Sequence, residues 1–491
     1  MPIAGLAVAF ALLLHPFLVT PQQTSQPVPP LPAASATQSP PGTPQQPGEG
    51  AQVHTGTSSG LDTDARLLNL LADHQYLRVQ AQIGQLPPAE AQFYRGILAN
   101  RSNDLKTSVE LLAPLVDQVT ASGNVAHEKL LRMALAEDYL RLGDWAKAAQ
   151  SYQTLDTRLH ANLRSDELDE IEMPLKMLPL AKDDPPMTVD PCEPFRLQVS
   201  DDPLRLIDIP VFVDASPHTW MLDPTEPFNL ISRSTARAVG LQISAEAATI
   251  RTLTGRPIQV HVTVIPRFTI GGRLTLRNMT AFVFDDADYY FKNSGYQVEG
   301  VLGYPALAAM GSLTVSDNAI EVRPSKEIET DIDHDHLTTG APFYLDGDEI
   351  IVALGNESDP ATGGSPQSAA AGGHDLGESN ERMFAIDAGS QQTYLTSRWF
   401  DENAAQFNSQ KTIMFSFPGE DSPPQPAYVA ESVPLVIGKT GISLHYISVL
   451  TQPLGSAAHD DVYGLLGIDA LDQLKSYTFD YRTMRFSVRG D

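Results

Sequence analysis

Along the chain, the spacing of apolar positions changes from a single run, to a helical period, to alternation. Ile3 to Val19 is apolar apart from His15 and Pro16. That length is short for a membrane span and suits the apolar centre of a signal peptide. Residues 1–20 are therefore expected to be a signal peptide, with an uncleaved N-terminal anchor as the alternative. No Lys or Arg precedes the run, and the nearest small-x-small pattern is Ala34-Ser35-Ala36. Residues 21–60 are rich in Pro, Gln, Ser, Thr, Gly and Ala and nearly uncharged. Such a segment cannot bury enough apolar surface to offset its ordering entropy and reads as a disordered linker. No later segment is long and apolar enough to cross a bilayer.

From residue 61 to 165 apolar residues recur at three- and four-residue intervals, which predicts a bundle of about four to six helices. Two stretches resemble each other: Phe93-Tyr94-Arg95-Gly96-Ile97-Leu98 before Asn103-Asp104, and Ala134-Leu135-Ala136-Glu137-Asp138-Tyr139 before Gly143-Asp144-Trp145. Gly143-Asp144 reads as a helix stop followed by a helix start. This resembles a tetratricopeptide repeat hairpin with a divergent second copy. Residues 166–193 are acidic and carry Asp183-Asp184-Pro185-Pro186, and are expected to be a linker that leaves the helical domain independent. Beyond them the period becomes two, as in Ile207-Ile209-Val211-Val213 and Thr478-Phe479-Tyr481, so the remainder is predicted to be mainly β.

Charge narrows the partners. Sixty acidic against 33 basic residues give a formal charge of −27, which disfavours nucleic acid and anionic membranes. The lone cysteine, Cys192, excludes an internal disulfide and CxxC sites, and is expected to be a small buried hydrophobe. Asp331-Ile332-Asp333-His334-Asp335-His336 gathers metal-ligand types. It has no partner ligands at a fixed spacing and reads as a solvated junction, so no metal is assigned. The Gly/Ser/Ala-rich tract from Glu357 to Glu381 reads as a disordered insertion. No phosphate loop or dinucleotide fingerprint stands in a strand-turn-helix context, and no cofactor is expected.

Candidate chemistry comes from an internal repeat. Trp220-Met221-Leu222-Asp223-Pro224-Thr225-Glu226 and Phe384-Ala385-Ile386-Asp387-Ala388-Gly389-Ser390 each run an apolar strand into an aspartate and a short turn. A hydroxyl residue follows nine positions after each aspartate, Ser232 and Thr396, placed to cap a short helix. Gly300-Val301-Leu302-Gly303 begins 77 positions after Asp223, and Gly464-Leu465-Leu466-Gly467 begins 77 positions after Asp387. Each glycine motif leads to a short apolar helix and then a paired-strand pattern, Leu313 to Val322 and Tyr477 to Val488. Four elements repeated in order at one spacing point to duplication.

This pattern resembles the retropepsin-like and pepsin-like aspartic proteases, whose lobes each carry an apolar-apolar-Asp-Thr/Ser-Gly loop and an apolar-apolar-Gly strand behind it. The resemblance implies a multidomain chain in which the all-α helical-repeat domain (61–165) precedes an all-β bilobal domain, with lobe 1 at 194–325 and lobe 2 at 338–491. It implies Asp223 and Asp387 as a catalytic dyad facing each other across a cleft, supported by Thr225, Gly389, Ser390, Gly303 and Gly467. Hairpins turning at Thr254-Gly255 and near Pro418-Gly419 are the candidates to cover that cleft. Like charges a few Å apart share one proton, so one carboxylate can activate water while the other protonates the peptide carbonyl oxygen. Pro224 and Ala388 stand where the family has hydroxyl residues, and Thr225 where it has glycine. Two readings follow: a secreted or periplasmic endopeptidase acting on peptide or protein substrates, or a catalytically degenerate envelope protein binding a protein partner through its helices.

Overall fold

Asp104, Asn124 and Asp144 each accept a hydrogen bond from the amide three residues on, and so start three helices. The computed structural model describes residues 58–199, 207–251, 257–291, 295–316, 319–324, 340–347, 349–355, 382–388, 390, 392–416, 424–454 and 460–489. The expected signal segment (1–20), most of the linker after it, the 331–336 cluster and the 357–381 tract lie outside these residues.

The helical region comprises α1 (Ser58–Ala72), α2 (Tyr76–Ile83), α3 (Pro88–Arg101), α4 (Leu105–Leu112), α5 (Val116–Ser122), α6 (Val125–Arg141), α7 (Trp145–Leu159) and α8 (Ser165–Ala181). The α3–α4 and α6–α7 turns are built alike. Asn103 and Gly143 take positive φ, and the Asp104 and Asp144 amides donate back to the carbonyls of Ala99 and Tyr139 at 2.8 and 2.9 Å. Polar side chains fix one hairpin to the next. Buried Asp138 on α6 accepts from Asn100 on α3 at 2.9 Å and Ser108 on α4 at 2.6 Å. Burial pushes its carboxyl up to about 6 against the pull of those two donors.

The segment expected as linker begins as helix. In α8 the acids Glu167, Asp169 and Glu172 obscured Ile171, Met173, Met177, Leu178 and Ala181, which recur at helical spacing and are buried. Pro174 and Pro179 lie inside this helix and did not stop it. Only from Lys182 does the chain leave helical structure, and Thr188–Val189 already pairs with Arg277 and Leu276.

The β half is built on repetition. In lobe 1 the strand Ser216–Leu222 lies parallel to Gly300–Leu302, which runs antiparallel to Leu230–Ser232. In lobe 2 Arg382–Ile386 lies parallel to Gly464–Leu466, which runs antiparallel to Tyr394–Leu395. Each paired residue of one lobe has its counterpart 164 positions later. Between the lobes Ser312–Ser316 pairs antiparallel with Ser476–Asp480, in a register that sets Thr314 opposite its own counterpart Thr478. Their hydroxyls meet at 2.8 Å, marking the pseudo-two-fold axis. Ala319–Arg323 and Arg485–Val488 flank this pair, and Phe195–Gln198 and Ala341–Asp346 lie outside them. One apolar core, including Trp220, Leu313, Phe343 and Phe479, runs through both lobes. Cys192 is only partly buried against this core.

The helices do not stand apart from the sheets. Trp145, Tyr152, Leu155, Met173 and Met177 share a core with Phe228, Leu230, Ile250, Ile258, Val260 and Phe282 of lobe 1. On the other side α2 and α3 reach lobe 2, where Asp346 accepts from Arg101 at 2.7 Å and Tyr76 at 2.8 Å. The expected flexible connection is thus replaced by a packed interface, because the apolar faces of α7 and α8 exceed what the helices bury among themselves. Limited tryptic digestion should cut first after Lys182, within the exposed start of the connection, and spare α8. The two fragments should then co-elute on size exclusion and separate only in denaturant; separation in native buffer would refute the shared core.

Candidate active site at the two aspartate loops

Each aspartate is fixed by the strand behind it. The Asp223 amide donates to the Leu302 carbonyl at 3.0 Å, and the Asp387 amide donates to the Leu466 carbonyl at 3.0 Å. Downstream, the Tyr304 amide donates to the Glu226 carbonyl at 2.8 Å, matched by Ile468 to Ser390 at 2.8 Å. Gly303 donates its amide to Asn229 Oδ1 at 3.2 Å, and Gly467 donates to Thr393 Oγ1 at 2.9 Å. Asn229 and Thr393 complete the pattern and were not among the expected site residues. The signal was present: each is a polar residue six positions after its aspartate.

The glycines follow from this closeness. A Cβ on Gly303 would lie 2.1 Å from the Phe228 carbonyl oxygen and 2.4 Å from that of Glu226, both backbone atoms. A Cβ on Gly467 would lie 2.8 Å from the Ser390 carbonyl oxygen. Gly389 lies outside the described residues. Ser390 donates its amide to Asp387 Oδ1 at 3.0 Å.

In lobe 1 the carboxylate support comes from Thr225. Its amide and its hydroxyl both donate to Asp223 Oδ1, at 3.0 and 2.6 Å. The hydroxyl that reaches this carboxylate thus stands at 225, one residue after Pro224. The β-branch at 225 is accommodated because Thr225 is not among the residues with positive φ. Ser232 caps the helix Arg233–Ala238, accepting from the Thr235 amide at 3.2 Å. Thr396 holds the matching position before Ser397–Asn403, but its hydroxyl donates instead to the Val462 carbonyl at 2.7 Å.

The first loop is a buried acidic site. Asp223 is 1% exposed, and its Oδ2 makes no hydrogen bond among the described residues. Burial pushes its carboxyl up, while the Thr225 hydroxyl and amide pull it down. Tyr289 is buried beside it, and burial, with the carboxylates of Glu226, Asp223 and Asp288, drives that phenol well above its ordinary range. Tyr481 of lobe 2 also senses Asp223: burial and then Tyr304 and Asp223 raise its phenol. Asp387 is likewise buried, at 5% exposure. A cavity of about 50 Å³ adjoins the first loop, lined by Pro224, Thr225 and Glu226 on one side and Glu137, Arg141 and Glu170 on the other. Asp387 does not line it. The hairpins expected over a cleft are formed by Ala248–Arg251 with Pro257–Ile270 and by Ile413–Phe415 with Gln425–Ala430; their tips lie outside the described residues. Among the described residues no group of three or more His, Cys, Asp or Glu is placed to hold a metal, and no helix is long and apolar enough to cross a membrane.

Thr225→Val removes the hydroxyl at nearly constant volume and should destabilise by about 1.5–3 kcal/mol at neutral pH, where the bond serves a charged acceptor. The sign with pH follows from the raised carboxyl. Burial of the neutral form contributes stability that is complete below the unfolded pKa and is lost as pH rises through the folded one. Without the hydroxyl that folded pKa rises further, so the loss in urea midpoint should be larger at neutral pH than in acid. An equal loss at both would show that the hydroxyl does not act on the carboxylate.

Comparison with known proteins places part of this architecture. Residues 209–306 match the family described as aspartyl protease. Among solved structures, basic 7S globulin from soybean is 12% identical, with 60% of this chain and 96% of that chain covered at a TM-score of 0.34. Conglutin gamma from lupine seeds is 11% identical, with 61% and 96% covered at 0.35. A retropepsin-like aspartic protease from Rickettsia conorii is 12% identical, with 28% and 94% covered at 0.20. No curated protein matches the chain. The strand, aspartate loop and glycine strand of lobe 1 all lie within the matched stretch.

Proposed function

We propose that this chain is an aspartic-type endopeptidase of a secreted or periplasmic setting, hydrolysing peptide bonds of peptide or protein substrates with Asp223 and Asp387. The observation that carries this reading is the repetition, 164 positions apart, of the same strand, aspartate and glycine-strand hydrogen bonds about the Thr314–Thr478 axis. In that mechanism the ionised member of the pair takes a proton from water, whose oxygen bonds to the peptide carbonyl carbon. The protonated member gives its proton to the carbonyl oxygen. Collapse of the tetrahedral intermediate breaks the C–N bond, with a proton passing to the leaving nitrogen. The helical layer, with its two alike hairpin turns, is read as a tetratricopeptide-like module that presents a protein partner or substrate. Export is read from the apolar run Ile3 to Val19.

The alternative is a degenerate relative that binds without cleaving, and Pro224 and Ala388 favour it, since neither carries the hydroxyl expected beside its aspartate. Turnover of an unfolded protein substrate decides between them. Under the peptidase reading Asp387→Asn lowers turnover by about four orders of magnitude, because an amide cannot share the proton. Activity should peak in acid and fall as pH rises through the raised Asp223 carboxyl, where the pair loses its single proton. A variant carrying Pro224→Thr, Thr225→Gly and Ala388→Thr should exceed the parent if the loops limit the rate. Turnover unaffected by Asp387→Asn would remove the Asp223/Asp387 dyad as its source, and no turnover from a parent and rebuilt variant that both fold would favour the binding reading.

A further inference from the structure

Both aspartates are buried, and the helices pack on the residues that follow the first. Trp145 at the start of α7 packs on Phe228, with ring centroids 6.5 Å apart, five residues beyond Asp223. Tyr152, Met173 and Met177 continue the same core over Ile250, Ile258 and Val260 of the hairpin expected to cover the cleft. Arg141, Glu137 and Glu170 face Pro224, Thr225 and Glu226 across the cavity. At about 50 Å³ that cavity has room for water and none for a peptide.

The seal is made by side chains. Among the described residues, no backbone hydrogen bond passes from α1–α8 to the strands, and the chain crosses from helices to strands once, after Lys182. Polar contacts hold the neighbouring helices: Tyr304 donates to Asn103 in the α3–α4 turn at 2.8 Å, and Arg101 of α3 and Tyr76 of α2 meet Asp346 of lobe 2. A layer attached in this way can lift without unpairing a sheet. We propose that α6–α8 form a lid over the Asp223 loop, closed in this structure, and that a substrate reaches the loop only after the lid separates from lobe 1. This inference rests on the peptidase reading for its purpose, but its geometry is tested without turnover.

The test labels carboxyls of the intact chain with a water-soluble carbodiimide and an amine, and reads each site by peptide mass spectrometry. Asp183, whose side chain is 91% exposed, serves as the internal reference. Asp223 should label at about one hundredth of the Asp183 rate or less. In rising sub-denaturing urea its labelling should appear together with hydrogen exchange of α6–α8, while strands Ser216–Leu222 and Gly300–Leu302 remain protected. Trp145→Ala should raise Asp223 labelling about a hundredfold in water; if that variant fails to fold, the urea series on the parent decides. Native labelling of Asp223 as fast as Asp183, or protection that persists until the strands themselves exchange, overturns the lid. Labelling that follows lid release without any peptide cleavage leaves the lid standing and removes the peptidase reading. Cleavage by the parent that Trp145→Ala leaves unchanged removes the lid and keeps the peptidase.

Discussion

One short parallel contact, made twice, organises the β half: the amide of each aspartate bonded to a carbonyl of a three-residue strand entered and left through glycine. Parallel pairing at this point forces the chain to travel through the rest of its lobe before returning, which is why 77 residues separate each aspartate from its glycine motif. The return passes so close behind the loop that a side chain at Gly303 would overlap backbone. Loop geometry, helix entry at Tyr304 or Ile468, and the strands that follow are all placed from there. Because those strands carry Thr314 and Thr478 into direct pairing, the two loops are bound to one axis without any contact between the loops being needed.

This explains how much could be read in advance. The duplication was legible because glycine, aspartate and spacing are all constrained by backbone, and backbone constraints leave sharp sequence marks. Helix existence between residues 61 and 165 was legible from period, and the Asp144 start from the Gly143-Asp144 stop and start signal. What failed was judged from composition. In α8 five acids at positions 166–172 sit on the same short stretch as Ile171, Met173 and Met177, and the prolines weighed more than the period did. Thr396 was assigned a cap by its position, but its hydroxyl is turned to donate to the Val462 carbonyl and accepts from no amide of the helix. Packing of Trp145 on Phe228 joins residues 83 positions apart in elements of different type, and no local pattern encodes such a pairing.

Contact between helices and β half is also unequal in kind. Against lobe 1 it is mainly apolar, with Tyr304 donating to Asn103; against lobe 2 it centres on Asp346. Burial alone would raise that carboxyl, but Arg101 and His74 outweigh it and hold it well below the usual carboxylate range. Arg101 in turn also meets Glu137 at 2.8 Å, which holds Arg141. Removing one member of such a buried set leaves an uncompensated charge and costs about 3–5 kcal/mol, whereas an apolar face tolerates substitution more gradually. The ionic side therefore fixes how the helical layer is oriented, and the apolar side supplies the area that keeps it closed.

The same division bears on the departures at the first loop. Pro224 and Thr225 remove a hydroxyl and a glycine from their expected places, yet Asp223 keeps two donors on Oδ1, both from Thr225. Orientation of the carboxylate is thus retained by a different residue. Changed instead is the surface the loop offers: a β-branched side chain and a proline line the cavity under the helices. Glycine at 225 would leave that cavity larger and wetter. A bulkier loop that still orients its aspartate suits a chain in which the loop must pack against a protein layer in its resting state. The substitutions that look like decay beside a pepsin-like motif are, in this fold, also the residues that meet the helices.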